Sequence, residues 1–134
     1  MSAFRVYLRV VSESLRPEEI SERLGGRPDE STMIGSRRHP QSPPRSHSTW
    51  IREAGRARPE DVEPVILSWG PEFAAALGRL AGSDEASVCL QIVQTIHDPD
   101  DPQQRGITLT PPLLAWLATA HAALDIDQYV HTPD

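Results

Sequence analysis

The sequence predicts a single α+β domain, with a ferredoxin-like β-α-β-β-α-β core, an antiparallel sheet and an added C-terminal helix-strand unit. Residues 3–12 and 86–97 both alternate between apolar and polar side chains, which is typical of half-buried strands. Between them, apolar residues recur at helical spacing from Val62 to Leu80. The remaining segments complete the pattern, so residues 1–134 are expected to form one domain.

The first half of the chain contributes a strand, a short helix and two weaker strands. After the strand at 3–12, Pro17 suits the first position of a helix, and two glycines at 25 and 26 predict its end. Residues 31–35 and 48–53 are short and only partly alternating. They are expected to be the second and third strands of the core.

The second half contributes two helical regions and two strands. Gly70 and Pro71 interrupt the long helical pattern and predict a kink or a break there. Thr110 is expected to cap a later helix that Pro111 and Pro112 open. The final alternation, at residues 123–131, predicts a last strand that either extends the sheet or covers its open face.

Charge is distributed unevenly along the chain. Residues 1–58 hold 11 arginines and 7 acidic residues, whereas residues 59–134 hold 2 arginines and 12 acidic residues. The net charge of −6 argues against nucleic-acid binding, which favours a basic domain. Six arginines and a single acidic residue lie between positions 35 and 58, and such local positive charge attracts anionic partners.

The strongest candidate for a ligand site is the stretch GSRRHPQSPPRSHSTW at residues 35–50. It predicts a flexible, basic, proline-rich loop over residues 36–48. Arginine can bind a phosphate or a carboxylate with two parallel hydrogen bonds. A solvated connector explains the same composition. The candidate ligand-binding residues are Arg37, Arg38, His39, Arg45 and His47.

Two strand faces carry further candidates. The outward face of the first strand presents Arg5, Tyr7 and Arg9, but RNA-binding sheets of this topology stack bases on two or three exposed aromatic rings. Here only Tyr7 and Trp50 could do so. The last strand places Asp125, Asp127, Tyr129 and His131 on one face. That face suits acid–base chemistry if the carboxylates differ in burial, or simply the solvent side of an edge strand.

The sequence predicts no metal site and no cofactor. Cys89 is the only cysteine, so it cannot form an intrachain disulfide, and its place in an apolar strand predicts a buried thiol. The segment from His97 to Asp101 lacks the spacing of a calcium loop and predicts a turn. Trp69 and Trp116 lie on helical stripes and are expected in the core. Without a signal-peptide pattern or a long apolar run, a cytoplasmic location without membrane contact is expected.

Three stretches carry a resemblance to a known family: FRVYLRVVSESLRPEEISERLGG, STWIRE and GITLTPPLLAWLATAHAALDIDQYV. Together they resemble the bacterial domain of unknown function 4279 over nearly the whole chain. The resemblance implies a shared fold but no activity, and therefore no catalytic residues. The loop between Gly35 and Trp50 departs from the family in being richer in proline and histidine.

These observations favour a non-enzymatic binding module. We expect it to bind a protein partner, as a toxin-neutralising domain does, or to associate with itself through a sheet edge. A sensor of small anions, or a small enzyme that uses the arginine-rich segment 35–58, is the alternative. RNA binding is a second alternative.

Overall fold

A computed structural model of the chain describes residues 3–104 and 106–131. The strands are β1 (Ala3–Ser12), β2 (Glu30–Thr32), β3 (Ser48–Ala57), β4 (Ser87–Ile96) and β5 (Ala122–Val130). The α-helices are α1 (Pro17–Leu24), α2 (Val62–Leu67), α3 (Pro71–Gly82) and α4 (Pro111–Ala120). The chain is therefore α+β, as predicted. Within the described residues, every helix is too short or too polar to cross a lipid bilayer.

The five strands form one sheet in the order β2-β3-β1-β4-β5. β1 is antiparallel to both β3 and β4, and β2 is antiparallel to β3. β5 is parallel to β4, which requires a crossover connection, and α4 lies in that connection. The last strand was predicted either to extend the sheet or to cover its open face, and β5 extends the sheet.

One face of the sheet carries the four helices. In β1, every second residue from Phe4 to Val10 is buried, and the same alternation holds from Val88 to Ile92 in β4. These residues share one apolar core with side chains from all four helices. Trp69 and Trp116 pack in or against that core, as expected from their helical spacing. In the part of the chain that the structure describes, the other face of the sheet is left without a helix.

The long helical pattern is interrupted where the sequence predicts. α2 ends at Leu67 and α3 begins at Pro71, because proline lacks the amide that would continue the helix. Gly70 takes a φ of 90°, which is open to glycine and costly for other residues. Its carbonyl accepts a hydrogen bond of 3.0 Å from Nε1 of Trp116 on α4.

The cap of α4 differs from the prediction. Thr110 occupies the N-cap position, but its hydroxyl makes no bond to the helix backbone. Its backbone N–H and its hydroxyl both donate to the carboxylate of Glu63 on α2. A carboxylate is the stronger acceptor, so Thr110 joins two helices instead of capping one.

The two middle strands also have different bounds from those expected. β2 covers only Glu30–Thr32, and β3 runs on to Ala57. The register of β1 with β3 shifts between Val6 and Tyr7, and Gly55 takes a φ of 83° at this irregularity. The bulge lets β3 continue alongside β1, which the partial alternation over residues 48–53 does not predict.

Buried glutamines organise the turn after β4. Nε2 of Gln94, which is fully buried, donates to the carbonyl of Gln104 at 2.6 Å. The side-chain oxygen of Gln104 in turn accepts the backbone N–H groups of His97 and Asp98, both at 3.0 Å. The predicted turn at 97–101 is therefore present and is stabilised from inside the domain.

Candidate functional site on the uncovered face of the sheet

The basic loop continues the hairpin formed by β2 and β3. The N–H of Gly35 donates to the carbonyl of Arg45, and the N–H of Arg45 donates to the carbonyl of Ser36, each at 2.8 Å. The two halves of the loop are thus paired at its base, and residues 37–44 form its tip. The predicted flexibility of this loop stays a prediction.

The five predicted ligand residues lie in this loop, and the structure gives partners for three of them. Nη1 of Arg37 donates to the carbonyl of Ser42 at 2.6 Å, and Nη1 of Arg45 donates to the hydroxyl of Ser36 at 3.0 Å. His47 exchanges a hydrogen bond with the adjacent Ser46, while Arg38 and His39 are exposed. In the described part of the chain, no hydrogen bond joins any two of the five. Two of these arginines stabilise the loop itself.

The uncovered face of the sheet brings together residues of the first and last strands, which the sequence analysis treated as separate candidates. It is formed by the alternate side chains of the long strands, which point away from the helices. β1 and β4 contribute Arg5, Tyr7, Arg9, Val11, Cys89, Gln91 and Val93, β3 contributes Ile51, Glu53 and Arg56, and β5 contributes Asp125, Asp127 and Tyr129. We call this set the sheet face.

Positive charge on the sheet face lies along β1 and at Arg56 of β3, which pairs with Arg5. Arg5 makes a salt bridge with Glu53 of β3 and stacks over the ring of Tyr7, 4.6 Å from its centre. The hydrogen bond to Glu53 raises the pKa of Arg5 above its usual value. The Arg5 side chain is still 49% exposed, so the pair is accessible to a partner. Among the described residues, Arg9 has no carboxylate in salt-bridge contact.

Negative charge on the sheet face lies along β5, the edge strand. Gln91, only 2% exposed, donates from Nε2 to the Asp127 carboxylate at 2.9 Å and weakly to the Asp125 carbonyl at 3.4 Å. Asp127 is half-buried, whereas Asp125 is exposed. The two carboxylates therefore differ in surroundings, and the predicted edge strand is confirmed.

Cys89 lies on the sheet face and not in the core, contrary to the prediction. Its neighbours Val88 and Leu90 both point into the core, so the two-residue period of a strand turns the thiol to the other side. The thiol is half-buried, and this burial raises its pKa. Because the thiolate is the nucleophilic form, Cys89 is a poor nucleophile at neutral pH.

Alkylation of Cys89 should therefore require alkaline conditions. In dilute native protein, we expect the rate of reaction with iodoacetamide to reach half its maximum at a pH above the value of about 8.5 that is typical of free cysteine. The matched control is the same chain unfolded in guanidinium chloride, where the midpoint should return to the ordinary value. A native midpoint below that of the unfolded chain would contradict the assignment.

Trp50 is not available for base stacking. Its side chain is fully buried on the helix side of the sheet, where Nε1 donates to the hydroxyl of Ser21 at 3.0 Å. The interpretation that Trp50 could join Tyr7 in stacking bases is wrong, because residues 48 and 50 point to the core and 49 and 51 point away. The exposed aromatic residue that the sheet face adds to Tyr7 is Tyr129, at 59% exposure.

Sequence reasoning missed Gln91 and Glu53 as members of this surface. Both lie at alternate positions of strands that the sequence predicted, so the alternation places them opposite the core. The alternation of side chains does not predict the order of the strands in the sheet. Only the pairing of β1 with β3 and of β4 with β5 brings these side chains beside Arg5 and Asp127.

The protein is thus a small α+β fold with one sheet, whose helices lie on a single face. The family described as Domain of unknown function (DUF4279) matches residues 2–131 of the chain. The chain belongs to this family. Neither the curated proteins nor the solved structures include a significant match to this chain.

Proposed function

We propose that the protein is a non-enzymatic module that binds another protein through the sheet face. The observation that carries this proposal is the composition of that face. Tyr7 and Tyr129 lie among arginines, carboxylates and half-exposed aliphatic side chains on one continuous surface. Tyrosine and arginine are the residues that most often dominate the energy of protein interfaces.

The rigidity of the sheet supports the same function. β1 and β4 bury their alternate residues, such as Leu8 and Leu90, in the helix-covered core, and Leu124 and Ile126 of β5 pack against that core partly buried. The backbone that carries the contact side chains is therefore held by the core, so little backbone entropy is lost when a partner binds. Intrachain contacts such as those of Arg5 and Gln91 orient several of them in advance.

The finer description of the fold is also part of this proposal. The order β2-β3-β1-β4 with antiparallel neighbours supports a ferredoxin-like core, to which α4 and β5 are added. A single cysteine, which leaves no intrachain disulfide, supports a cytoplasmic location. A toxin-neutralising domain remains one concrete form of the function, since an acidic chain complements a basic partner.

The two alternative functions find less support in the geometry. An anion sensor based on segment 35–58 needs several arginines at one point, and two of them, Arg37 and Arg45, bond to their own loop. RNA binding by the sheet face needs stacked aromatic residues, and Trp50 lies on the opposite side. Anion sensing and RNA binding therefore both stay predictions.

Photo-crosslinking tests the proposed surface and captures a partner of any identity. Benzoylphenylalanine is placed at position 7 on the sheet face, or at position 79, an exposed position on α3, as the matched control. In cells that naturally carry the gene, we expect irradiation to yield a discrete protein adduct from position 7 only. Adducts from neither position, or equally from both, would overturn the proposal. The mass of the adduct also identifies the partner.

A further inference from the structure

The charges of the sheet face are arranged in strips along the strands. β1 carries Arg5 and Arg9, and β5 carries Asp125 and Asp127. β3, on the far side of β1 from β4, adds Glu53 and Arg56, one charge of each sign. Between β1 and β5, β4 turns only neutral side chains outward: Ser87, Cys89, Gln91, Val93 and Thr95. Two strand spacings of about 4.8 Å separate the positive strip from the negative strip by roughly 10 Å.

This arrangement is complementary to itself. From it we infer that the sheet face binds the same face of a second copy of the chain, with a two-fold axis running along β4. Such an axis places β1 of each copy over β5 of the other. The inference rests on the proposed function and names the partner class for the same surface. An interface of this kind is isologous and therefore closes as a dimer.

The cross-strand register makes the match specific. Arg5, Val93 and Asp127 lie in one row across the sheet. A two-fold axis parallel to the strands keeps the rows in place, so each Arg5 faces Asp127 of the second copy. Arg9 lies in the row of Cys89 and Ala123, one row from that of Asp125, and its side chain is long enough to reach Asp125 of that copy. Neither Arg9 nor Asp125 makes a salt bridge within the described part of its own chain.

Other symmetric arrangements bring like charges together. A two-fold axis that crosses the strands at Tyr7 places β1 over β1, and Arg5 then faces Arg9 of the second copy. Pairing two β5 edges antiparallel about Ile126 sets Asp125 opposite Asp127. Like charges directly opposite one another destabilise a strand pair. The face-to-face arrangement along β4 is therefore favoured over this pairing of two β5 edges.

The size of the contact sets the expected affinity. Three strands of about nine residues cover roughly 15 by 30 Å, or about 450 Å² per copy in projection. Interfaces below about 1,200 Å² in total are weak and transient. We therefore expect a dissociation constant in the micromolar range, and sedimentation equilibrium of the purified protein should show a reversible dimer.

Charge reversal tests the axis. Arg9→Glu and Asp125→Arg, each alone, should raise the dissociation constant at least about tenfold, because each replaces an attractive neighbouring pair across the interface with a pair of like charges. The combined variant Arg9→Glu/Asp125→Arg should bring it back to near the wild-type value. Arg79→Glu makes the same charge change on an exposed position of α3 and should leave the dimer unchanged. Melting curves of all four variants show whether each is folded.

Cys89 gives a second readout because it lies on the axis strand. Its alkylation rate should fall as the concentration of the wild-type protein rises, and it should not fall for Arg9→Glu. A monomer at all concentrations overturns the inference, as does a dimer that the single reversals leave intact or that the double variant does not restore. A monomer that still gives a position-7 adduct with a different protein overturns only the inference. A monomer without any such adduct overturns the proposed function as well.

Discussion

Replacing Trp50 with alanine is expected to lower the free energy of unfolding by about 3–5 kcal/mol. The indole is fully buried, and its ring packs against Phe73 with 6.4 Å between ring centres. The guanidinium of Arg52 lies 5.4 Å from the same ring, and Nε1 is bonded to Ser21. Truncation removes these contacts and leaves a cavity between β3, α1 and α3. Urea denaturation followed by circular dichroism measures the loss.

The variant Trp50→Phe separates the packing of the ring from its hydrogen bond. It keeps an aromatic side chain in the core and removes the donor to Ser21, so we expect a smaller loss of about 1–2 kcal/mol. If the alanine and phenylalanine variants were equally stable, the ring would contribute no packing energy. That result would contradict the position of Trp50 as the link between the sheet and the helix layer.

The substitution Gly78→Ala should also destabilise the protein, by about 1–3 kcal/mol or more. A Cβ atom at this position of α3 would lie 2.2 Å from the backbone carbonyl oxygen of Thr119 at the end of α4. It would also approach Cδ2 of His121 to 3.3 Å. A backbone oxygen cannot rotate away, so the two helices must separate and lose part of their shared core. Thermal or urea unfolding of the purified variant measures this cost.

Gly82→Ala is the matched control in the same helix. Among the described residues outside the adjoining helix backbone, no atom lies within 4 Å of a Cβ atom built at Gly82, and the backbone there is not left-handed. Alanine should therefore be tolerated, with a gain of up to about 1 kcal/mol from the reduced freedom of the unfolded chain. Equal losses for both variants would mean that glycine is needed for its backbone freedom and not for the close contact of α3 with α4.

The alternation and spacing of apolar residues were sufficient to identify most elements. β1 and β4 follow from a two-residue period, and the break between α2 and α3 follows from Gly70 and Pro71. These features depend on neighbours in the chain, where side-chain direction and backbone restriction act locally. The weaker strands were placed less accurately, because β2 is held mainly by its pairing with β3.

The side chains of the candidate site could not be assembled in the same way. Arg37 and Arg45 are close in the chain, and composition alone suggested a shared anion site, yet each bonds to its own loop. Cys89 was predicted to lie in the core but lies on the uncovered face. Trp50 was considered for base stacking on the uncovered face but lies in the core. Side chains of a strand alternate between its two faces, and the local sequence does not always show which of these faces the helices cover.

The sequence by itself determined the class of the domain, the direction in which most strand residues point and the uneven distribution of charge. Only the tertiary structure decided that Arg5 and Arg9 share a surface with Asp125 and Asp127, more than a hundred residues later in the chain. The reason is physical. Periodicity results from the local geometry of the backbone, whereas the order of strands results from burying all the apolar faces in one core, which depends on the whole chain at once.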